Sequence, residues 1–332
     1  MTYETGATIT RRKRTVSPGI TLDVFEAGRP GDPVVVLLHG FPESADAWRH
    51  QLGPIADAGY HVLAPDQRGY GESSSPEGVA AYGMEHLTDD VCGLLDAVGA
   101  EQAVVVGHDF GGLVAWAMGL LHPGRCRGLH VAAAPLPRWP ALPTTVLRER
   151  HGDRFFYILY FQEPDTPEAE LDADPARFLR SMIWLVAGES GGQPLSSTLP
   201  LAGTRLIESL ETALGRSPDD LPPWLAPEDF ETLVGKFRAS GFAGPVNWYR
   251  NFDHNYAVTG EIPPSVLSMP TAFVVGDRDP VYGRPGLLEQ ITADLPTCEV
   301  SVLPGIGHWI QQEAPEEFTR SVLTFLDRVG RA

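Results

Sequence analysis

Six short runs of apolar, largely β-branched residues punctuate the chain, and each is stopped by a glycine or a proline. Val34 to Leu38 ends at His39-Gly40, Val62 to Ala64 at Pro65-Asp66, and Ala103 to Val106 at Gly107. Leu129 to Ala134 ends at Pro135, Ala272 to Val275 at Gly276, and Val300 to Leu303 at Pro304-Gly305. Continuous apolar runs without alternation predict strands buried on both faces, as in a parallel sheet. Between them apolar residues recur at steps of three and four, as in Leu87, Val91, Leu94, Leu95 and Val98. Phe318, Val322, Phe325, Leu326 and Val329 repeat that spacing behind Pro315-Glu316-Glu317, a favourable first helical turn. Strand–helix alternation with short turns predicts a mostly parallel, doubly wound α/β sheet.

The alternation lapses between about Leu136 and Trp248. That stretch is rich in proline and aromatic residues, shows no clear strand run, and gives way to strands again near Thr271. We therefore expect a first core segment over 1–135, an inserted helical lid over 136–248, and a second core segment over 249–332. A lid at that point would cover the carboxyl ends of the strands, where such sheets bind ligands. The 332 residues suffice for one large α/β domain. A net charge of −18 makes nucleic acid and anionic membrane poor partners. No stretch reaches the ~20 apolar residues a membrane helix needs. Cys92, Cys126 and Cys298 are far apart, odd in number and without metal-ligand spacing, so a reducing compartment and a cytoplasmic location are expected. Arg11-Arg12-Lys13-Arg14 precedes no long apolar run, so it reads as a solvated cluster ahead of a first strand rather than as an export signal.

Val104-Val105-Val106-Gly107-His108-Asp109-Phe110-Gly111-Gly112 places small residues two before and two after a central aspartate, between a strand run and the apolar segment Leu113 to Leu121. This is the strand–turn–helix pattern of a nucleophile elbow, with Asp109 in the place serine usually holds. Asp is also a favoured helix N-cap, but capping leaves Gly107 and the Gly111-Gly112 pair without a reason. A carboxylate is already anionic at neutral pH and needs no base to activate it. Attack on an sp³ carbon bearing a strained or good leaving group would give an alkyl-enzyme ester that water must cleave. Epoxide opening and carbon–halogen displacement are the two reactions this suggests.

The ester needs a water-activating base, expected after the last strand. His308 in Leu303-Pro304-Gly305-Ile306-Gly307-His308-Trp309 meets that expectation. Its orienting acid should follow the preceding strand, in Gly276-Asp277-Arg278-Asp279-Pro280. Asp279 fits by its offset from the strand end, and Asp277 reads as a turn residue. The loop His39-Gly40-Phe41-Pro42 should offer the backbone N–H of Phe41 to an oxyanion, with the N–H of Phe110 as the second donor. Phe41-Pro42 is a candidate cis peptide bond. His39 and His108 read as structural residues.

These segments together resemble the soluble epoxide hydrolase family of the α/β-hydrolase fold. The resemblance covers His39-Gly-Phe-Pro-Glu-Ser44, Asp66-Gln-Arg-Gly-Tyr-Gly-Glu-Ser-Ser74, the elbow, Asp279 and Gly307-His308-Trp309. It extends into the lid through Tyr157-Ile-Leu-Tyr-Phe-Gln-Glu-Pro164 and Gly244-Pro-Val-Asn-Trp-Tyr-Arg-Asn251. It implies that Tyr157 and Tyr249 hydrogen-bond the epoxide oxygen and protonate it as the ring opens. Tyr160 shares nearly the same helix face as Tyr157, and spacing alone does not choose between them.

Many relatives carry tryptophan after the nucleophile, where this chain has Phe110. Related dehalogenases hold the halide with that indole and a second tryptophan or asparagine, whereas Phe41 and Phe110 carry no side-chain donor. The residue pattern thus favours an epoxide hydrolase over its nearest rival, a haloalkane or haloacid dehalogenase. A third reading is a ligand-binding protein on a retired hydrolase scaffold, which predicts a broken catalytic constellation. The expected partner is a small apolar epoxide, no metal or organic cofactor is called for, and a homodimer is compatible with the sequence. Trp139, Trp184 and Trp224 are candidate pocket aromatics.

Overall fold

A computed structural model describes residues 6–193 and 196–330. Its strands are β1 (Thr10–Ser17), β2 (Ile20–Ala27), β3 (Val34–Leu38), β4 (His61–Asp66), β5 (Ala103–His108), β6 (Cys126–Ala132), β7 (Arg154–Phe156), β8 (Ser196–Pro200), β9 (Thr271–Gly276) and β10 (Glu299–Leu303). Eight of them form one sheet in the order β1-β2-β4-β3-β5-β6-β9-β10. β1, β2 and β4 pair antiparallel in succession, and every pair from β4 across to β10 is parallel.

The parallel strands β3, β5 and β9 are buried along their whole length, as their unbroken apolar sequences require. Their faces are covered by α1 (Leu52–Asp57), α2 (Met84–Ala97) and α3 (Phe110–Leu121) in the first half of the chain. Between β6 and β9 follow α4 (Pro143–His151), α5 (Tyr157–Tyr160), α6 (Thr166–Ala173), α7 (Pro175–Val186), α8 (Leu206–Leu214), α9 (Pro227–Ser240), α10 (Ala243–Arg250) and α11 (Phe252–Thr259). α12 (Leu287–Asp294), α13 (Ile310–Glu313) and α14 (Pro315–Val329) complete the core. On α14 the buried stripe is Phe318, Val322, Phe325 and Leu326, and on α2 it includes Leu87, Val91, Leu94 and Leu95, the residues the spacing selects.

The basic cluster departs from expectation. Arg11 to Arg14 do not precede the first strand; they are part of β1, the edge strand itself. Arg11 pairs with Asp23 and Arg14 with Glu26 on β2, while Lys13 reaches Glu72 at 3.1 Å. Charged residues on an exposed edge oppose pairing with another chain, which explains a strand with no apolar run to reveal it. The insertion departs too: β7 and β8 form a two-stranded antiparallel pair where no strand run was legible. A three-residue strand such as Arg-Phe-Phe is too short to show a period. α10 runs through position 248, the expected end of the lid.

Register sets the site. Leu38 pairs with Gly107, His108 with Ala132, and Gly276 with Leu303. The carboxyl ends of β3, β5 and β6 therefore lie within a residue of one another, β9 and β10 run two residues further because Ala132 pairs with Val274, and the loops that follow emerge at one end of the sheet.

Candidate active site

Asp109 occupies the tight turn between β5 and α3 with φ of 51° and ψ of −123°. Positive φ in a residue other than glycine is strained and is kept only where the surroundings impose it. The surroundings here are backbone. A Cβ on Gly111 would lie 2.1 Å from the Leu38 carbonyl oxygen, and one on Gly40 would lie 2.4 Å from the Asp109 Cβ. Glycine at these two places lets the turn and the β3 loop close on each other. Asp109 does stand at the N-cap position of α3, but its side chain makes no capping bond.

The carboxylate faces two donors instead. The Phe41 N–H donates to Oδ1 at 2.9 Å, and His308 Nε2 stands 3.4 Å from Oδ2. The Phe41-Pro42 bond is cis. Phe110 opens α3, where the first-turn N–H groups lack intrahelical acceptors. Behind His308, Nδ1 donates to Asp279 Oδ2 at 2.9 Å, and the Val281 N–H donates to Asp279 Oδ1 at 2.7 Å. Asp277 turns away and accepts the Gly305 N–H at 2.7 Å, a turn role.

Electrostatics follow from this geometry. Burial would push the His308 imidazolium down, but Asp279 and Asp109 outweigh it and hold its pKa well above the ordinary histidine value. Burial would raise the Asp109 carboxyl, but the hydrogen bond and charge of His308, with the Phe41 N–H, hold it below the usual range. The geometry therefore favours a protonated imidazole held between two carboxylates.

The lid places Tyr157 in the same cavity as Asp109. That cavity, about 210 Å³, is otherwise lined mainly by apolar and aromatic side chains including Leu113, Trp116, Trp139 and Phe252. Tyr249 is buried beside it, its ring 5.7 Å from that of Tyr157 and in edge contact with Phe41 and Phe110. Burial and the Asp109 charge hold the Tyr157 phenol well above its ordinary pKa. The same causes, with the neighbouring Tyr157, raise Tyr249. Both phenols thus stay protonated through the neutral range. Tyr160 is separated from them: its hydroxyl bonds Glu170 and lies near Arg205, outside this cavity. Of the three candidate tryptophans only Trp139 lines the cavity. Trp184 donates to the Asp220 carbonyl and Trp224 lies near Glu189.

His39 is a loop residue as expected, with Nδ1 on the Gly40 carbonyl at 2.9 Å and Nε2 accepting the Gln67 N–H at 3.1 Å. His108 has a more particular place. Its Nε2 contacts the His308 carbonyl at 2.8 Å and its Nδ1 contacts the buried Glu43 at 2.7 Å. Gln311 and Gln312 donate to the other oxygen of Glu43 at 2.9 and 2.7 Å. Sequence reasoning missed this network, because a single Glu and two Gln in separate segments carry no periodic or motif signal. Among the described residues no group of three or more His, Cys, Asp and Glu is arranged to hold a metal ion.

Comparison with known proteins agrees with this geometry. Residues 33–168 match the α/β hydrolase fold family. The chain is 46% identical over 313 residues to epoxide hydrolase A of Mycobacterium tuberculosis, covering 93% of this chain and 94% of that one. The crystal structure of epoxide hydrolase A from Mycobacterium thermoresistibile superposes with a TM-score of 0.86 at 41% identity, over 96% of this chain and 98% of that chain. An epoxide hydrolase from an endophytic Streptomyces gives a TM-score of 0.86 at 33% identity, over 98% of this chain and 96% of that one. The chain is thus an α/β hydrolase, and within that fold it belongs to the epoxide hydrolase family.

Proposed function

We propose that this enzyme converts epoxides to vicinal diols through a covalent ester on Asp109. One observation carries the reading: Asp109 divides its two oxygens between the Phe41 N–H and His308, in a cavity it shares with the phenol of Tyr157. The division gives each oxygen a role. Oδ2 attacks one epoxide carbon while Tyr157 and Tyr249 donate to the ring oxygen and protonate it as the C–O bond breaks. An alkoxide is a strongly basic leaving group, so a phenol kept protonated by burial is a suitable acid. Oδ1, already on the Phe41 N–H, becomes the oxyanion when water adds to the ester carbon, with the Phe110 N–H as the second donor.

Ester formation also changes the base. It cancels the Asp109 charge, leaving Asp279 as the carboxylate bonded to His308. The pKa of His308 then falls toward the range where the neutral imidazole can take a proton from water. Asp279 keeps Nδ1 protonated, so that Nε2 is the free base. Collapse of the tetrahedral intermediate breaks the bond to the alkyl oxygen, which takes the proton back from the His308 imidazolium, and the diol leaves.

Residues 136–248 act in this reading as the lid over the core segments 1–135 and 249–332, supplying Tyr157, with Tyr249 just past its end. The cavity lining favours a small, largely apolar epoxide. A cytoplasmic location fits three cysteines that form no disulfide, and no helix among the described residues is long and apolar enough to cross a membrane. A single turnover in ¹⁸O-water tests the mechanism: the label should enter the Asp109 carboxylate and leave the first diol unlabelled. A diol labelled directly, with Asp109 unlabelled, would mean that water and not the carboxylate opens the ring. Halide release from haloalkanes or haloacids without diol formation would return the dehalogenase reading.

A further inference from the structure

One carboxylate outside the triad holds the loop that carries His308. Glu313 ends α13, and its Oε2 accepts the N–H groups of Gly307 at 2.8 Å and Gly188 at 3.0 Å. Its Oε1 accepts the Trp309 N–H at 3.0 Å. The residues on either side of His308 are therefore tied to the same side chain. The third donor, Gly188, belongs to the lid, two residues beyond the end of α7.

Other contacts converge on this point. The His308 N–H donates to the Val186 carbonyl at 2.8 Å, and Trp309 Nε1 donates to the Ile183 carbonyl at 3.0 Å. Arg278, next to Asp279, donates to the Gly188 carbonyl at 2.9 Å. The backbones meet so closely that a Cβ on Gly307 would lie 2.3 Å from the Gly188 nitrogen. The histidine loop, the acid loop and the end of a lid helix are thus packed around one half-buried carboxylate.

We propose that Glu313 is a positioning residue for the second half-reaction, fixing His308 against the Asp109 ester and tying that placement to the seating of the lid through Gly188. The inference rests on the covalent reading above. Ester cleavage needs water, Nε2 and the ester carbon in line, and a misplacement of about 1 Å can cost on the order of 10²-fold. Ester formation needs only the Asp109 oxygen and the two phenols, none of which Glu313 touches. A fault at Glu313 should therefore slow the second step and spare the first.

Glu313→Gln is the direct test, because an amide keeps one acceptor oxygen and turns an NH₂ toward the remaining N–H groups. Ester hydrolysis should slow by on the order of 10-fold, with ester formation within about twofold of wild type. In steady state kcat and KM should fall together with kcat/KM held, and the ester should accumulate in acid-quenched samples read by mass spectrometry. Gly188→Ala perturbs the same junction from the lid side, since its Cβ would lie 2.6 Å from the Gly305 carbonyl oxygen and 2.9 Å from Glu313 Oε2. It should give the same signature with the carboxylate intact, and it carries the test if thermal unfolding shows that Glu313→Gln does not fold. Folded variants that lose both steps equally, or neither, overturn the proposal while leaving the covalent mechanism standing. A wild-type enzyme that forms no ester and takes no ¹⁸O into Asp109 overturns both.

Discussion

Asp109, Phe41, Asp279 and His308 stand on loops at the carboxyl ends of parallel strands, whereas Tyr157 and Tyr249 stand on the short helices α5 and α10. The first group is fixed by a strained turn, glycines in close approach and hydrogen bonds of 2.7 to 2.9 Å. The second is fixed by ring packing. Tyr249 meets Phe41, Phe110, Tyr157 and Phe161 edge-on, at centroid distances of 5.0 to 5.7 Å. Edge contacts fix the rings by packing and set the two phenols side by side, with their hydroxyls hydrogen-bonded to each other. The division matches the chemistry. The core half must hold charge and an oxyanion in one geometry, and the lid half must present donors to a ligand that enters and leaves.

The largest expected effect breaks the comparison at its base. His308→Gln should abolish turnover, by roughly 10⁴-fold or more, yet leave one round of ester formation in place. A stoichiometric burst of alkylated Asp109 without diol release is the outcome to look for. Loss of the burst as well would mean that the imidazolium is required for attack, not only for hydrolysis.

Tyr157→Phe acts on the other half and should lower kcat/KM by about 10²-fold, the scale of a single general acid. Ester hydrolysis, followed after the ester has formed, should stay near wild type. Tyr249→Phe should behave alike. If either variant slows hydrolysis as much as ester formation, the separation of roles between lid and core is wrong.

The pH dependence sharpens the comparison further. In the proposed mechanism neutral His308 is the active base, so kcat should fall about tenfold per pH unit below the pKa of His308 in the ester form. Asp279 and Asp109 together raise His308 in the free enzyme, and only Asp279 remains charged in the ester. The acid limb of kcat should therefore lie at lower pH than the titration of His308 observed by NMR in the resting enzyme. A limb at or above that titration would show that Asp109 contributes little to the shift.

The same contrast explains what the sequence made legible. Core positions follow from local rules: Gly107 and Gly111 around Asp109, a strand end before Asp279, a glycine turn before His308. Each is a backbone requirement that only particular residues meet, and so it is visible in a single chain. The lid obeys no such rule, since an aromatic packed edge-on and an aromatic aimed at substrate have the same spacing. Tyr157 was separable from Tyr160 only through family resemblance, and β7 was too short to show a period. The β1 edge was hidden because its residues were chosen for charge. The Glu43 network and the role of Glu313 escaped notice because Glu43 meets His108 and Gln311 across distant segments and Glu313 accepts from backbone N–H groups, which leave no motif.

Tyr160→Phe has the smallest expected effect and separates position from composition most cleanly. Three residues from Tyr157, its hydroxyl is engaged with Glu170, whose carboxylate also accepts the N–H groups of Leu206 and Ile207 at 3.0 and 2.8 Å. The hydroxyl serves the packing of α6 against the start of α8. Removing it leaves Glu170 with its two backbone donors, so the cost to stability should be about 1 kcal/mol. Because that hydroxyl lies outside the cavity shared by Asp109 and Tyr157, kcat and kcat/KM should both stay within about twofold of wild type. A loss near that of Tyr157→Phe would mean that the lid can shift α5 enough to exchange the two phenols, and the assignment of the proton donor would move with it.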